Sequence, residues 1–290
     1  MFEPLEAEIV FGHYVQGFSS NFLDVFFQTI TWLGNPVFWI FLAALLYWAG
    51  EEKKGFFLSL NVLIASAAVG FLKIITGRIR PSSQEFRVLD EFIESKYSLP
   101  SGHATTIASI FGYLWEKTNR YAKTGFLILA LIVMTSRVYL GVHYLGDVLV
   151  GALFGFLIGR LVHVAEQKYE KIKFSQKVII EEAGLATIVL ASLLISLVLR
   201  EFSLAMLMLG FFAGMFGFKM LEFDQAKAHG KKLFAKIFAG TLTLGLFWIF
   251  AGQRFFEAEV LFTIGLWMTL FFPLIWERLA EKKSTTPKQA

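Results

Sequence analysis

Apolar runs dominate this chain, and short polar clusters punctuate them along its whole length. A run of about 20 apolar residues is long enough to cross a bilayer as a helix. The pattern predicts such spans near 36–50, 56–76, 104–116, 124–140, 144–163, 179–199, 204–219, 236–252 and 259–276. Residues 20–33 also carry apolar positions at helical spacing, but Asp24, Gln28 and Thr31 interrupt them. That reads as a helix lying in the membrane interface. Gly34-Asn35-Pro36 follows as a turn signal. The expected fold is an all-α polytopic membrane bundle of about nine transmembrane helices with an N-terminal interfacial helix.

Composition agrees with lipid as the main solvent. Hydrophobic residues make up 56% of the chain and charged residues 17%, against about a quarter charged in a soluble domain. Cysteine is absent, so disulfides and thiol nucleophiles are excluded. The first twenty residues hold Glu3, Glu6 and Glu8 but no Lys or Arg, so no cleavable signal peptide is expected there. The net charge of +4 is modest, and no nucleic-acid partner is expected.

Where the charge sits says more. With nine spans, one set of alternate loops plus the C-terminal tail carries 19 of the 27 Lys and Arg. The other side carries Lys73, Arg78, Arg80, Arg87, Lys96, Arg137, Arg200 and Arg254. The excess of basic residues marks the cytoplasmic side. The N-terminus is then expected outside and the C-terminus inside, with 281–290 a polar tail.

Ionisable residues at membrane depth cost about 2.5–3.5 kcal/mol each on insertion scales, and those retained usually serve a function. Here they gather at the outer ends of a few spans. Lys73 lies near the end of the second, with Arg78 and Arg80 beyond it; His103 opens the third; Arg137 closes the fourth; His143 and Asp147 open the fifth. Three cations beside a helix N-terminus make an anion site. Ser101 is a natural N-cap, and Gly102 lets backbone N–H groups approach an anion. His143 and Asp147 are four residues apart, so on a helix they share a face. A carboxylate there can hold one imidazole nitrogen and leave the other as a nucleophile. The set suits in-line phosphoryl transfer, in which positioning and charge stabilisation do the work.

Three motifs sharpen this. Residues 73–81, from Lys73 to Arg80-Pro81, fit KxxxxxxRP. Pro100-Ser101-Gly102-His103 fits PSGH, and residues 136–147, from Ser136-Arg137 through His143 to Asp147, fit SRxxxxxHxxxD. In order and spacing they resemble the signatures of the type-2 phosphatidic acid phosphatase (PAP2) and vanadium haloperoxidase superfamily, over about residues 20–163. The resemblance implies that His143 attacks phosphorus and becomes phosphohistidine, and that Asp147 orients it. It implies that His103 protonates the leaving oxygen and later helps activate water. Lys73, Arg80, Ser101, Gly102 and Arg137 would hold the phosphate oxygens. No metal and no cofactor is expected. Arg78 is not a motif position; it is expected to face headgroups or to help with a second phosphate.

The expected division is a PAP2-type core over 1–165, a further four-helix membrane region over 166–280, and the tail. The function expected is metal-independent hydrolysis of a lipid phosphate or diphosphate, polyprenyl or phosphatidate-like, on the extracytoplasmic face. The nine-span layout is also similar to that of glucose-6-phosphatase, which keeps a soluble sugar phosphate open as substrate. A phosphate or lipid-phosphate transporter or scaffold without turnover is the other alternative. Membrane lipid is the expected partner. Gly210, Gly214 and Gly217 permit close helix packing, within the chain or in a homodimer. His13, His163 and His229 are expected to be solvated.

Overall fold

The computed structural model describes residues 2–89, 95–172, 202–221, 228–252, 254 and 257–285. Among them the regular elements are helices: α1 Glu6–Gln16, α2 Asn21–Ile30, α3 Pro36–Trp48, α4 Glu52–Thr76, α5 Gly102–Leu114, α6 Arg120–Tyr139 and α7 Leu145–Glu170. Then follow α8 Phe202–Met220, α9 Gly230–Ala251, α10 Ala258–Leu266 and α11 Phe272–Thr285, the last two joined by a π turn. The chain divides into two compact units, Met1–Trp39 with Leu60–Glu170 and Ile40–Ser59 with Lys171–Ala290.

Local chemistry sets the helix starts. Ser20 Oγ accepts from Leu23 N–H ahead of α2, and Asn119 Oδ1 accepts from Ala122 N–H ahead of α6. These are N-caps that satisfy donors the helix itself leaves open. The turn signal at residues 34–36 works the same way: Asn35 Oδ1 accepts from Val37 N–H, and Pro36 takes the first helical position. The segments Asn21–Gly34 and Pro36–Trp48 meet there at a bend of 54°. Helix α1 had no counterpart in the sequence reading.

Five described helices are long and apolar enough to cross a membrane, or six if the bent pair is one span. The protein is a multi-pass membrane protein. The segment Leu204–Met220 is apolar but shorter, α5 has 13 residues, and the expected span 179–199 lies outside the described residues. The described helices therefore do not establish a count of nine.

The first unit is organised around α5 and α7, and small residues let them touch. Gly151, Gly155 and Gly159 recur every fourth residue on α7 and face Ser101, Thr105 and Ser109 at the same interval on α5. A Cβ on Gly151 would come within 2.8 Å of the Ser101 carbonyl, and on Gly155 or Gly159 it would collide with the carbonyl of Thr105 or Ser109. Backbone-to-backbone approach of this kind is how helices associate where lipid removes the hydrophobic drive. On another face of α7, Leu149, Leu153, Leu157 and Leu161 repeat at the same interval and are exposed. That stripe is the surface a helix offers to acyl chains.

In the second unit Gly210 packs on the Phe262 carbonyl, and Gly265 packs on that of Leu207. Thr269 Oγ1 donates to the Phe211 carbonyl at 2.7 Å. Gly210 and Gly214 thus serve contacts within the chain. Lys236, counted among the cytoplasmic cations, is buried and bonds Glu277 at 2.8 Å.

Candidate active site

Helix α6 ends in a turn that places two of the motif residues. Gly141 has φ +70°, a left-handed conformation that favours glycine. Its N–H bonds the Val138 carbonyl, and the Val142 N–H bonds the Arg137 carbonyl. This pair of bonds is a Schellman motif. It keeps Arg137 in the last turn of the helix and delivers His143 immediately after the turn. Tyr144 then caps α7: its N–H donates to Asp147 Oδ2 at 2.9 Å, so the carboxylate is fixed at the third helical position. The Ser101 N–H donates to the Asp147 carbonyl at 3.0 Å, joining the start of α5 to the first turn of α7. Ser101 is fully buried, and its Oγ faces the Ala104 N–H at 3.5 Å as the N-cap of α5.

The nucleophile candidate is held at both ring nitrogens. His143 is buried, with Nδ1 at 3.3 Å from Asp147 Oδ2 and Nε2 at 3.0 Å from Arg80 Nη1. A guanidinium only donates, so Nε2 must be the acceptor and Nδ1 must carry the proton. The partners therefore select the neutral tautomer with its lone pair on Nε2. Burial pushes His143 well below the ordinary histidine pKa, and the charges of Arg80, Arg137, Lys73 and His103 push the same way. With Asp147, those four residues are the other ionisable members of the expected site, gathered around one imidazole.

Both arginines are anchored. Arg80 donates from Nε to the Ser95 carbonyl at 2.6 Å and from Nη1 to the Val142 carbonyl at 2.9 Å. Arg137, buried, donates to Thr31 Oγ1 at 2.8 Å. Lys73 is buried in the last turn of α4. His103 packs against Gly34, where a Cβ would come within 2.8 Å of the His103 Cβ. The turn at residues 31–34 thus supports both Arg137 and His103.

A family model described as the PAP2 superfamily matches residues 54–171, which hold all eight expected site residues. Residues 54–171 belong to the PAP2 superfamily. The lipid A 4'-phosphatase of Porphyromonas gingivalis is 27% identical over 51% of this chain and 68% of its own length. Phosphatidylglycerophosphatase B of Bacillus subtilis is 34% identical over 28% of this chain and 44% of its own length. The crystal structure of a PAP2-type phosphatidylglycerolphosphate phosphatase from Bacillus subtilis aligns with a TM-score of 0.47 and 26% identity, over 58% of this chain and 88% of that one. The PAP2 domain is a phosphatase domain.

Around this PAP2 domain lie residues that the sequence reading misjudged. Arg78 does not face headgroups: it is buried, donates from Nη1 to Asp147 Oδ1 at 3.0 Å, and bonds Glu8 through Nη2. Its guanidinium lies over the Tyr144 ring, 4.8 Å from the centroid. Glu8 is outside residues 54–171, on α1, and is buried. A local signal for α1 did exist: Glu6 and Glu8 fall in its first turn, and Glu8 accepts from the Leu5 N–H at 2.8 Å. His163 is also not solvated. It is buried on α7 with Nε2 at 3.0 Å from Glu116. His13, though exposed, stacks on Phe86 at 4.7 Å.

The N-terminal helices also clamp the loop between α4 and α5. Gln16 Nε2 donates to the carbonyls of Arg87 and Tyr139 at 2.8 and 2.9 Å. Arg87 forks onto both oxygens of Asp24, at 2.9 and 2.7 Å. Tyr139 Oη donates to Asp24 at 2.6 Å. No local pattern foretold these pairings across 63 to 123 residues of chain.

Proposed function

We propose that this protein hydrolyses the phosphate ester or diphosphate of a membrane lipid on the extracytoplasmic face, through a phosphohistidine on His143. The observation that carries the reading is the neutral His143, with its Nε2 lone pair set among Arg80, Arg137 and Lys73. In the first step Nε2 attacks phosphorus, the P–N bond forms and the bond to the leaving oxygen breaks. His103 gives that oxygen a proton. In the second step His103 takes a proton from water, the water oxygen bonds phosphorus, the P–N bond breaks, and phosphate leaves. Asp147 holds Nδ1–H throughout and stabilises the charge that the ring acquires. Lys73, Arg80 and Arg137, with the backbone at Ser101 and Gly102, bear the equatorial oxygens.

Three things support a lipid as the leaving group. The named relatives act on lipid A and on phosphatidylglycerophosphate. The site lies where span ends meet connecting turns, and the exposed leucine stripe on α7 gives an amphiphile a lateral approach. The outer placement is the reading that the expected nine-span distribution of Lys and Arg favours. The test is phosphate release by purified protein from phosphatidate, phosphatidylglycerophosphate, a polyprenyl diphosphate and a hexose phosphate, with EDTA present. Turnover of at least one lipid and an acid-labile, base-stable phosphoenzyme that His143→Ala abolishes are expected. Turnover of the hexose phosphate alone would refute the lipid reading, and turnover surviving in His143→Ala would refute the covalent route.

A further inference from the structure

A carboxylate and a guanidinium buried together are costly, because desolvation offsets much of their attraction. Such a pair says little about stability, so its geometry is what informs. Every oxygen of Glu8 is engaged. Oε1 accepts from the Gly146 N–H at 2.7 Å, and Oε2 accepts from the Leu5 N–H at 2.8 Å and from Arg78 Nη2. The other arm of the Arg78 fork goes to Asp147 Oδ1 at 3.0 Å. That leaves Asp147 Oδ2 for the Tyr144 N–H and for His143 Nδ1. The chain of bonds Glu8–Arg78–Asp147–His143 is continuous and buried at every member. At Gly146 there is room for Glu8 only because no Cβ is present; one built there would collide with Oε1.

We propose that Glu8 and Arg78 are positioning residues for the reaction, so that helix α1, outside the PAP2-matched segment, belongs to the active site. Arg78 fixes the plane of the Asp147 carboxylate. Glu8 fixes Arg78 with one oxygen and the first turn of α7 with the other. A planar fork can do this where a lysine cannot. The Glu8 carboxyl suits the task. Burial alone would raise its pKa, but the bonds from Arg78, Leu5 and Gly146 and the Arg78 charge outweigh that and hold it below the usual carboxylate range. The proposal rests on His143 being the nucleophile.

The two residues carry opposite charge, so their removal leaves opposite signatures. Asp147 faces Arg78, His143 and Ser98, with Glu8 beyond Arg78; His143 faces Arg80, Arg137, Lys73 and His103 as well. Taking away the Arg78 cation removes positive charge from beside the Asp147–His143 pair and so raises the proton affinity of His143, and the acid limb of kcat/KM moves to higher pH. Taking away the Glu8 anion leaves the Arg78 charge undivided, so the limb moves to lower pH or stays.

The experiment is steady-state kinetics across pH on purified full-length wild type, Glu8→Gln, Arg78→Ala, Arg78→Lys and the Glu8→Gln/Arg78→Ala double variant, each first shown to be monodisperse in detergent. Glu8→Gln should lower kcat about 10-fold and Arg78→Ala about 100-fold, with KM changed by less than about 3-fold, as for outer residues that orient a reacting group. The double variant should lose no more than Arg78→Ala alone, because both act through one path. Arg78→Lys keeps the charge and loses the fork. It should lower kcat about 10-fold with the acid limb unmoved, and it carries the test if Arg78→Ala does not fold. Wild-type turnover with every variant at wild-type kcat and acid limb overturns the positioning role alone. Additive losses in the double variant overturn it too. A wild type that neither releases phosphate nor forms a phosphoenzyme sinks the nucleophile reading and this proposal with it.

Discussion

The α5–α7 pair carries a buried histidine near each end, and the two are set in contrasting company. His143 precedes α7 with an arginine on Nε2 and a carboxylate on Nδ1. His163, toward the other end of α7, has a carboxylate, Glu116, on Nε2. Around it the charges close on one another: Arg160 also bonds Glu116, Lys117 bonds Glu166, and Lys117 sits over the Tyr113 ring at 3.8 Å. Nε2 of His163 is shared between Glu116 and the Gln167 side-chain amide, each at 3.0 Å, so structural partners already occupy it. A nitrogen facing a guanidinium has to accept, so His143 has a lone pair there. The same residue type on one helix pair is thus a tie at one end and a nucleophile candidate at the other, and the partner's charge decides which.

The contrast can be broken at several points. The largest effect is expected from replacing each histidine in turn: His143→Ala should lower kcat by at least about 1,000-fold, the scale seen when a nucleophile is removed. His163→Ala should leave kcat within about 3-fold. Comparable losses in both would erase the distinction. Next comes the seam that carries both ends. Gly155→Val would drive a side chain into the Thr105 carbonyl, and overpacking of this kind costs about 1–3 kcal/mol. The expected result is a lower unfolding temperature in detergent and lower yield; an unchanged midpoint would mean that the helices separate freely.

Smaller effects follow. The depressed pKa of His143 keeps its ring neutral to lower pH than a free imidazole, so protonation should switch attack off only below the reference value of 6.5. The acid limb of kcat/KM should therefore lie below pH 6.5, and a limb above it would contradict the cationic surroundings. Glu116→Gln is expected to change least, leaving kcat within about 2-fold and the acid limb in place, because its network touches no expected site residue. A shift of that limb would link the two ends.

Arg80, Arg137, Lys73, His103 and Asp147 do gather around His143, and the motif spacings of the family resemblance were what named them. Ser101 as an N-cap and the turn at residues 34–36 were legible because each is satisfied within a few residues of chain. Glu8 and Arg78 were not, since they meet across 70 residues and neither takes part in a repeating pattern. Arg78 was misjudged because a cation near a span end is ordinarily taken to face headgroups. The glycines at 151, 155 and 159 could have been read from their interval, but an apolar run reads as a span whatever it packs against. His163 has Arg160 and Lys168 near it in sequence, which predicts a solvated ring, but in space it faces Glu116 and Tyr113. The count of spans rested on apolar length, which does not separate a full crossing from the bent α2–α3 pair or from a 13-residue α5.

The hydrogen bond from Arg80 to His143 Nε2 has one more consequence. On the proposed mechanism it occupies the lone pair that attack would use, so the nucleophile candidate is capped at rest. An oxyanion competes directly for the guanidinium that forms that cap. A phosphate that drew Arg80 onto itself would uncover the nitrogen for the proposed attack. Selectivity for anionic substrates would then begin before any contact with the lipid chain, as a lock that the phosphate itself opens.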